Sequence, residues 1–324
     1  MRRREFIRFV GGAPLVWPFV AQAQPTSRPH IAYLGATSAS VLDPRQIEQF
    51  KVGLTENGLI EGENIEVDYL WGEGSSDRLR QLATDLARRN IDVIVTAGPQ
   101  PVQALREAGV KTPIVFAILS DPIGDGFVQS LARPGGNITG LSMAGTDLES
   151  KRLEILREAV PTLKKVLLLH DPSMGVGLVE TKAAARNLDL EVFVVDSNDA
   201  DKFKAAFIEA EAQGAKAVAT MASPFFNFNR KRLIQLASEY RWPSIWENGS
   251  YVRDGGLIAY GPNFPDMYRR SVGYVAKILN GAKPSDLPVQ QPTRFELAVN
   301  TKTALTLGLK IPVGLIVRAD EVIE

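Results

Sequence analysis

Apolar and polar positions along residues 30–117 follow two different periods. Residues 30–34 form a short apolar run, and the segment from about Pro44 then places Ile47, Phe50 and Leu54 on one helical face. The same alternation predicts further strands at 65–69, 92–96 and 113–117, with helices beginning near Ser76 and covering 101–108 between them. Strands separated by helices predict βαβ units and a parallel sheet that is covered on both faces.

A second series begins after a turn-rich joint at 131–137. A short extended piece at 138–143 precedes Thr146-Asp147-Leu148-Glu149, a capping box that opens a helix. The pattern then predicts strands at 166–169, 192–195, 217–221, 244–246 and 257–260, with helices over 176–188, 200–213 and 229–240. The chain therefore carries two α/β units of similar size that share a pattern and no residue-level repeat.

The segment after Gly261 adds a helix (267–279), a turn-rich link (281–292), a strand (295–299) and a short helix (301–307). Such extra elements often cross back to the first unit. We therefore expect an α/β protein with two doubly wound parallel-sheet lobes and a cleft between them, where the carboxyl ends of both sets of strands meet. The expected division gives residues 29–142 and 262–286 to lobe 1 and residues 143–261 and 287–324 to lobe 2, with crossovers near Ser142, Pro262 and Pro288.

The first 23 residues have the pattern of an export signal. A basic head that contains Arg3-Arg4 is followed by an apolar stretch from Phe9 to Val20 and by Ala21-Gln22-Ala23, a small-x-small cleavage site. The apolar stretch is shorter than the roughly 20 residues that a spanning helix needs. The paired arginines resemble a twin-arginine signal, although the general route remains open. We expect cleavage near Ala23 and a periplasmic protein.

Composition and charge narrow the classes of function. The 324 residues contain no cysteine, which excludes disulfides, thiolate nucleophiles and a lipid-anchoring cysteine. Lys plus Arg and Asp plus Glu both number 37, so there is no basic excess for nucleic acid or an anionic membrane, and loss of the signal would leave a mildly acidic protein. We expect a monomer with no cofactor. We also expect no metal site, because neither of the two histidines has a partner at metal-ligand spacing.

The chain carries few recognised catalytic motifs. It has no GxSxG elbow, no HExxH and no phosphate-binding glycine loop. The acids Asp121, Asp171 and Glu247 follow predicted strands and could form a glycosidase pair. An exported α/β hydrolytic enzyme that uses Asp or Glu is therefore the alternative to a protein that does no chemistry.

Polar and small residues at the strand ends predict a ligand site in the cleft. A helix begins after Gly98, and its free backbone N–H groups would suit a carboxylate, while Asp121 would favour an amine or a hydroxyl. Such residues are also common as ordinary caps and turns. The candidate ligand-binding residues are Thr37, Ser38, Thr96, Ala97, Gly98, Gln100, Ser120, Asp121, Ser142, Ser223, Glu247 and Tyr260.

Several longer segments together resemble one protein family. They are residues 1–7, Arg133-Pro134-Gly135-Gly136-Asn137-Ile138-Thr139-Gly140, Lys151-Arg152-Leu153-Glu154, and the stretches 255–262, 287–297 and 318–324. The chain resembles ABC-transporter substrate-binding proteins with a type I periplasmic-binding fold, and is similar to tryptophan- and tyrosine-binding importer components. In that family the segment after the third strand usually carries Thr and Gly residues that touch ligand, whereas here Pro99 and Gln100 stand where small residues are usual.

The resemblance implies a function without catalysis. It implies capture of a small molecule, such as an amino acid or an aromatic carboxylate, in a closing cleft, and delivery to an inner-membrane ABC permease. A cytoplasmic sensor of the repressor type would share the fold, but here an export signal stands where a DNA-binding headpiece would be.

Overall fold

Helices and strands alternate along nearly the whole chain in the computed structural model, which describes residues 28–143, 147–172, 177–292 and 295–324. The predicted export signal lies outside the described residues. The strands are β1 (His30–Gly35), β2 (Glu66–Trp71), β3 (Val93–Ala97), β4 (Ile114–Leu119), β5 (Ile138–Ser142), β6 (Lys165–His170), β7 (Glu191–Asp196), β8 (Val218–Thr220), β9 (Ser244–Trp246), β10 (Ile258–Pro262), β11 (Phe295–Asn300) and β12 (Glu321–Ile323). The helices are α1 (Pro44–Glu56), α2 (Ser76–Leu86), α3 (Pro99–Glu107), α4 (Asp147–Ala159), α5 (Leu178–Asn187), α6 (Phe203–Ala212), α7 (Pro224–Phe228), α8 (Arg230–Glu239), α9 (Gly249–Arg253), α10 (Phe264–Leu279), α11 (Thr301–Thr306) and α12 (Val313–Arg318).

Lobe 1 is a five-stranded parallel sheet in the order β2-β1-β3-β4-β5, with helices on both faces. Helices α2 and α3 cover one face, where Leu79 and Leu105 pack on the sheet. Helices α1 and α10 cover the other face, where Phe50 and Val272 are fully buried. The central strands β1, β3 and β4 are buried on both sides, which explains their continuous apolar sequences.

Lobe 2 is a seven-stranded sheet in the order β12-β11-β10-β9-β8-β6-β7. Strands β6 to β10 are parallel to one another, β11 runs antiparallel to β10, and β12 runs parallel to β11. One face packs against α4, α5, α11 and α12, and the other against α6, α8 and α9. The predicted architecture of two α/β lobes is confirmed.

Four short elements were not expected from the sequence. They are α7, α9, α12 and β12, which contain between three and six residues each. In these four segments too few turns or alternations are complete to show a clear period. Strand β12 forms at the edge of the sheet by pairing with β11, where Val322 lies opposite Val299.

The chain passes between the lobes after β5, after β10 and before β11. The third crossing lies later than the predicted boundary at residue 287, because residues 287–290 still pack on lobe 1. Thr139 Oγ1 donates to the Leu287 carbonyl oxygen at 2.7 Å, and the Val289 N–H donates to the Leu131 carbonyl oxygen at 2.7 Å. The buried Val289 side chain fills the lobe 1 core and so keeps this segment there.

Among the described residues, no helix combines the length and the apolar composition needed to span a bilayer.

At Gly261 the backbone of β10 lies close to the backbone of Glu247, which follows β9. A Cβ atom at this position would overlap the Glu247 carbonyl oxygen. We expect Gly261→Ala to lower the free energy of unfolding by about 1–3 kcal/mol, because the two segments would have to separate. Chemical denaturation followed by circular dichroism measures this loss.

The matched control is Gly273→Ala in α10. No neighbouring atom lies within 4 Å of a Cβ there, and alanine in a helix interior should add roughly 0.5–1 kcal/mol. Equal stabilities for Gly261→Ala and the unsubstituted protein would contradict the close approach.

Candidate functional site

A cavity of about 710 Å³, counted together with its solvent-open part, lies between the carboxyl ends of the strands of the two lobes. Lobe 1 contributes residues that follow β1, β3 and β4 and residues from α1 and α10. Lobe 2 contributes residues that follow β8 and β9. The lining residues are Tyr33, Gly35, Ala36, Thr37, Leu42, Gln46, Ala97, Gly98, Pro99, Ile118, Leu119, Ser120, Met143, Ser223, Pro224, Asn227, Glu247, Phe264 and Tyr268.

Six of the residues predicted for the site line this cavity. They come from three strand ends of lobe 1 and two of lobe 2, so residues far apart in sequence are brought to one place. They are Thr37, Ala97, Gly98, Ser120, Ser223 and Glu247.

Two other predicted residues are buried within lobe 1 and outside the lining. Thr96 is fully buried, and its hydroxyl donates to the Leu34 carbonyl oxygen at 2.7 Å. Ser142 is also buried, and its N–H donates to the Gln290 carbonyl oxygen at 2.9 Å. Both residues join backbone segments, which is the ordinary structural role of a strand-end hydroxyl or amide.

The remaining four predicted residues also lie outside the lining. Asp121 accepts a hydrogen bond from the Gly124 N–H at 2.8 Å and so closes a local turn. Gln100 is exposed, Ser38 pairs with the Ser40 hydroxyl at 3.0 Å, and the Tyr260 ring packs near Phe295.

Sequence reasoning missed the apolar wall of the cavity. Tyr33, Phe264 and Tyr268 are almost completely buried, and the Tyr33 and Tyr268 hydroxyls lie 3.1 Å apart. In the sequence these residues match the apolar periodicity of a core strand and a core helix, so nothing marks them as cavity residues. Gln46 and Asn227 were missed because they stand inside helical segments, away from strand ends.

The start of α3 differs from the predicted carboxylate site. The Gly98 N–H is already used, because it donates to the Ile118 carbonyl oxygen at 2.8 Å. Pro99 and Pro101 have no N–H. Of the first residues of this helix, Gln100 alone therefore retains a free backbone donor that could face a ligand.

Glu247 is a buried carboxyl group at the lobe 2 side of the cavity. Burial raises its pKa to about 8, the nearby Arg152 opposes this rise, and the Glu149 carboxylate adds to it. Arg152 and Glu149 form a buried ion pair at 2.6 Å, and Arg152 Nε also donates to the Tyr260 carbonyl oxygen at 2.7 Å. Glu247 is consequently protonated at neutral pH when no ligand cation lies beside it.

The other two strand-end acids do not reach the cavity lining. Asp121 closes its own turn, and Asp171 accepts from the Ser223 hydroxyl at 2.5 Å in the interior of lobe 2. Two carboxyl groups facing one substrate, as a glycosidase requires, are therefore not found among the described lining residues. The described residues also contain no group of three or more His, Asp or Glu side chains placed to hold a metal ion.

The lobes touch each other at the beginning of α1. The Asp43 carboxylate accepts from Ser250 Oγ at 2.8 Å and from Arg253 Nη2 at 3.0 Å, both on α9 of lobe 2. Arg230 of α8 donates to the Val41 carbonyl oxygen of lobe 1 at 3.0 Å. We call the contact among Asp43, Ser250 and Arg253 the interlobe latch. With the latch formed, the two lobes enclose the cavity from opposite sides.

Two α/β lobes, joined by three crossings and facing each other at their strand ends, define a type I periplasmic-binding fold. Residues 43–323 match the family described as ABC transporter substrate binding protein, and the chain belongs to that family.

Three similar proteins illustrate the relationship. The tyrosine-binding protein of Clostridioides difficile is 22% identical over 269 residues, which cover 81% of this chain and 76% of that protein. The structure of an ABC domain from Streptococcus pneumoniae in complex with L-Trp has a TM-score of 0.84 at 23% identity, covering 92% of this chain and all of that one. A conserved domain protein from Vibrio cholerae has a TM-score of 0.83 at 26% identity, covering 91% and 99% of the two chains.

The protonation of Glu247 should appear in the stability of the protein. Its pKa is about 8 in the folded protein and near 4.5 when exposed, so between these values the folded state binds more protons than the unfolded state. The free energy of unfolding should therefore fall as pH rises through this range, by at most ~1.4 kcal/mol per pH unit. In Glu247→Gln this contribution disappears, and the dependence on pH should become flatter.

Urea denaturation between about pH 5 and pH 8 measures both slopes. Glu154→Gln is the matched control, because Glu154 lies half-exposed on α4 with a surface partner, Lys151. An unchanged slope in Glu247→Gln would show that Glu247 titrates as an exposed carboxyl.

Proposed function

We propose that this protein is the solute-binding component of an ABC importer. It captures a small molecule between its lobes and presents the closed complex to a membrane permease. The observation that carries the proposal is the cavity itself, which is lined from both lobes at their strand ends and combines an apolar wall with a few polar groups. Ligand cavities in proteins generally have this composition.

The place of action follows from the same proposal. Because the permease of an importer lies in the membrane, its binding component works outside the cytoplasm. The basic and apolar pattern of residues 1–23 supports export to the periplasm, with cleavage near Ala23.

The size and walls of the cavity favour a solute with a compact apolar body. Tyr33, Phe264 and Tyr268 form one wall, and Leu42 and Met143 extend it. One relative is named a tyrosine-binding protein, and one similar structure is a complex with L-Trp, which supports a flat aromatic group in this position. We propose a small molecule with an aromatic or branched aliphatic body as the captured solute, and amino acids are the first reference compounds for a binding test.

Mass spectrometry of small molecules released from the purified protein tests the proposal directly. We expect an unmodified solute in a ratio close to one per chain. Adding that solute at 100 times its dissociation constant should then raise the free energy of unfolding by about 2.7 kcal/mol. Steady conversion of the solute into a product by the purified protein would instead indicate an enzyme.

The interlobe latch should control closure of the cleft. In Asp43→Asn the side chain can still accept the Arg45 N–H that caps α1, but its charge no longer attracts Arg253. Charge-assisted hydrogen bonds contribute roughly 1.5–3 kcal/mol, so the variant should be more open without solute and should bind solute about 10-fold or more weakly. Small-angle scattering and calorimetry measure the two effects.

Asp77→Asn is the matched control, because Asp77 is an exposed residue in the first turn of α2 with an i,i+3 partner, Arg80. The control should keep both the radius of gyration and the affinity of the unsubstituted protein. The same radius of gyration in Asp43→Asn, with and without solute, would contradict a closing role for the latch.

A further inference from the structure

The charged and strongly polar groups that reach the cavity are unevenly distributed. Glu247 provides a carboxyl group from lobe 2, and Gln46 and Asn227 provide amides. No lysine, arginine or histidine is found among the lining residues that the structure describes. A ligand carboxylate would therefore meet neutral groups and one acid, whereas a ligand cation would meet a carboxyl group.

The Gln46 amide is in position to bind a ligand. Gln46 is 3% exposed and lines the cavity from α1, and its amide is not one of the fully enclosed polar groups that lack a partner among the described residues. A ligand group that enters the cavity can therefore form a hydrogen bond with this amide. Gln46 can donate or accept, so it can satisfy a second polar group of the solute.

The start of α3, which the sequence predicts as a carboxylate site, offers few free backbone donors. The Gly98 N–H is used by the Ile118 carbonyl oxygen, and the Thr96 hydroxyl is used by the Leu34 carbonyl oxygen. The two prolines at 99 and 101 remove further donors. Lobe 1 therefore presents no cluster of free N–H groups at this point.

The buried charged residues on the lobe 2 side of the cavity also favour the binding of a cation. The buried Arg152 is paired with Glu149, so an ionised Glu247 gives the cluster of Glu149, Arg152 and Glu247 a net negative charge. A ligand ammonium group would compensate that charge. A carboxylate would add to it.

We propose that the cleft selects a solute that carries a protonated amine and no carboxylate, with the amine held by Glu247 and a second polar group held by Gln46. This inference rests on the proposed function, because it assigns the chemical class of the captured solute.

The binding of an amine should be linked to proton release. The pKa of Glu247 is about 8 when the cavity holds no ligand cation. The groups that face it are Glu149 and Arg152 from α4, Tyr251 from α9, the Ser223 backbone N–H and the Asn248 amide, which donates to Glu247 Oε1 at 3.5 Å. An ammonium group must displace the proton of Glu247 to form the ion pair. Affinity should therefore increase with pH, by up to about 10-fold per pH unit, and level off above about pH 8.

Two sets of matched probes test the proposal by calorimetry. The aromatic set is tyramine, tyrosine and 3-(4-hydroxyphenyl)propionate, and the aliphatic set is isoamylamine, leucine and 4-methylpentanoate. We expect the amine of at least one set to bind at least about 10-fold more tightly than its amino acid, because the carboxylate of the amino acid would be buried without a cationic partner, and we expect neither acid to bind. Tightest binding by the amino acids or the acids, or no binding by either amine, would overturn the proposal.

Variants of the two proposed ligand-binding residues test where in the cavity the amine binds. Glu247→Gln should lower the affinity for the amine by about 10-fold or more and remove the dependence of affinity on pH. The surface control Glu154→Gln should change neither the affinity nor its dependence on pH. Gln46→Leu should weaken binding without changing the dependence on pH. Unchanged amine affinity in Glu247→Gln would place the amine elsewhere and contradict the proposal.

The solute released from the purified protein distinguishes the proposed solute-binding function from the proposed chemical class of the solute. A released amine without a carboxylate supports both the function and its chemical class. A released acid, amino acid or sugar supports the solute-binding function and contradicts the proposal that the solute is an amine without a carboxylate. If no solute is released and no probe binds, both proposals fail.

Discussion

The fold depends on one constraint, which is that a parallel sheet must have both faces covered. In lobe 1 the strands β1, β3 and β4 are buried on both sides by α1, α10, α2 and α3. Side chains in the middle of such strands cannot reach solvent, so the strand ends are the positions where polar groups can meet a ligand. The two sheets present their carboxyl ends to each other, and the cavity lies between them.

The buried charges of lobe 2 connect this architecture to its chemistry. Glu149, Arg152 and Glu247 lie behind the strand ends with little exposure to water. Burial makes a single unpaired carboxylate costly, and this cost raises the pKa of Glu247. The same cost would make Glu247 a strong partner for a cation that enters the cavity. The Glu247 carboxyl therefore affects both the stability of the fold and the proposed selection of ligand, and a substitution of Glu247 should change both.

The contacts between the lobes involve a different set of residues. The latch joins the first turn of α1 to α9, and Asp43 both caps its own helix and bonds to Ser250 and Arg253. A residue with two such roles couples the local geometry of α1 to the closed arrangement of the lobes. Because Gln46 lies one turn further along α1, closing the latch also positions a lining residue.

The sequence by itself determined the order of the main helices and strands and the two-lobed α/β architecture, because burial of strands and amphipathic helices imposes regular spacings on apolar residues. It also pointed to strand ends, and Glu247, Ser223 and Thr37 do line the cavity. The tertiary structure alone decided which strand-end groups remain free, since Gly98 and Thr96 bond to backbone atoms of neighbouring strands. It also turned apolar core positions such as Tyr33 and Tyr268 into a cavity wall. A sequence pattern reports whether a residue is buried, whereas the partner it meets there depends on segments that are distant in the chain.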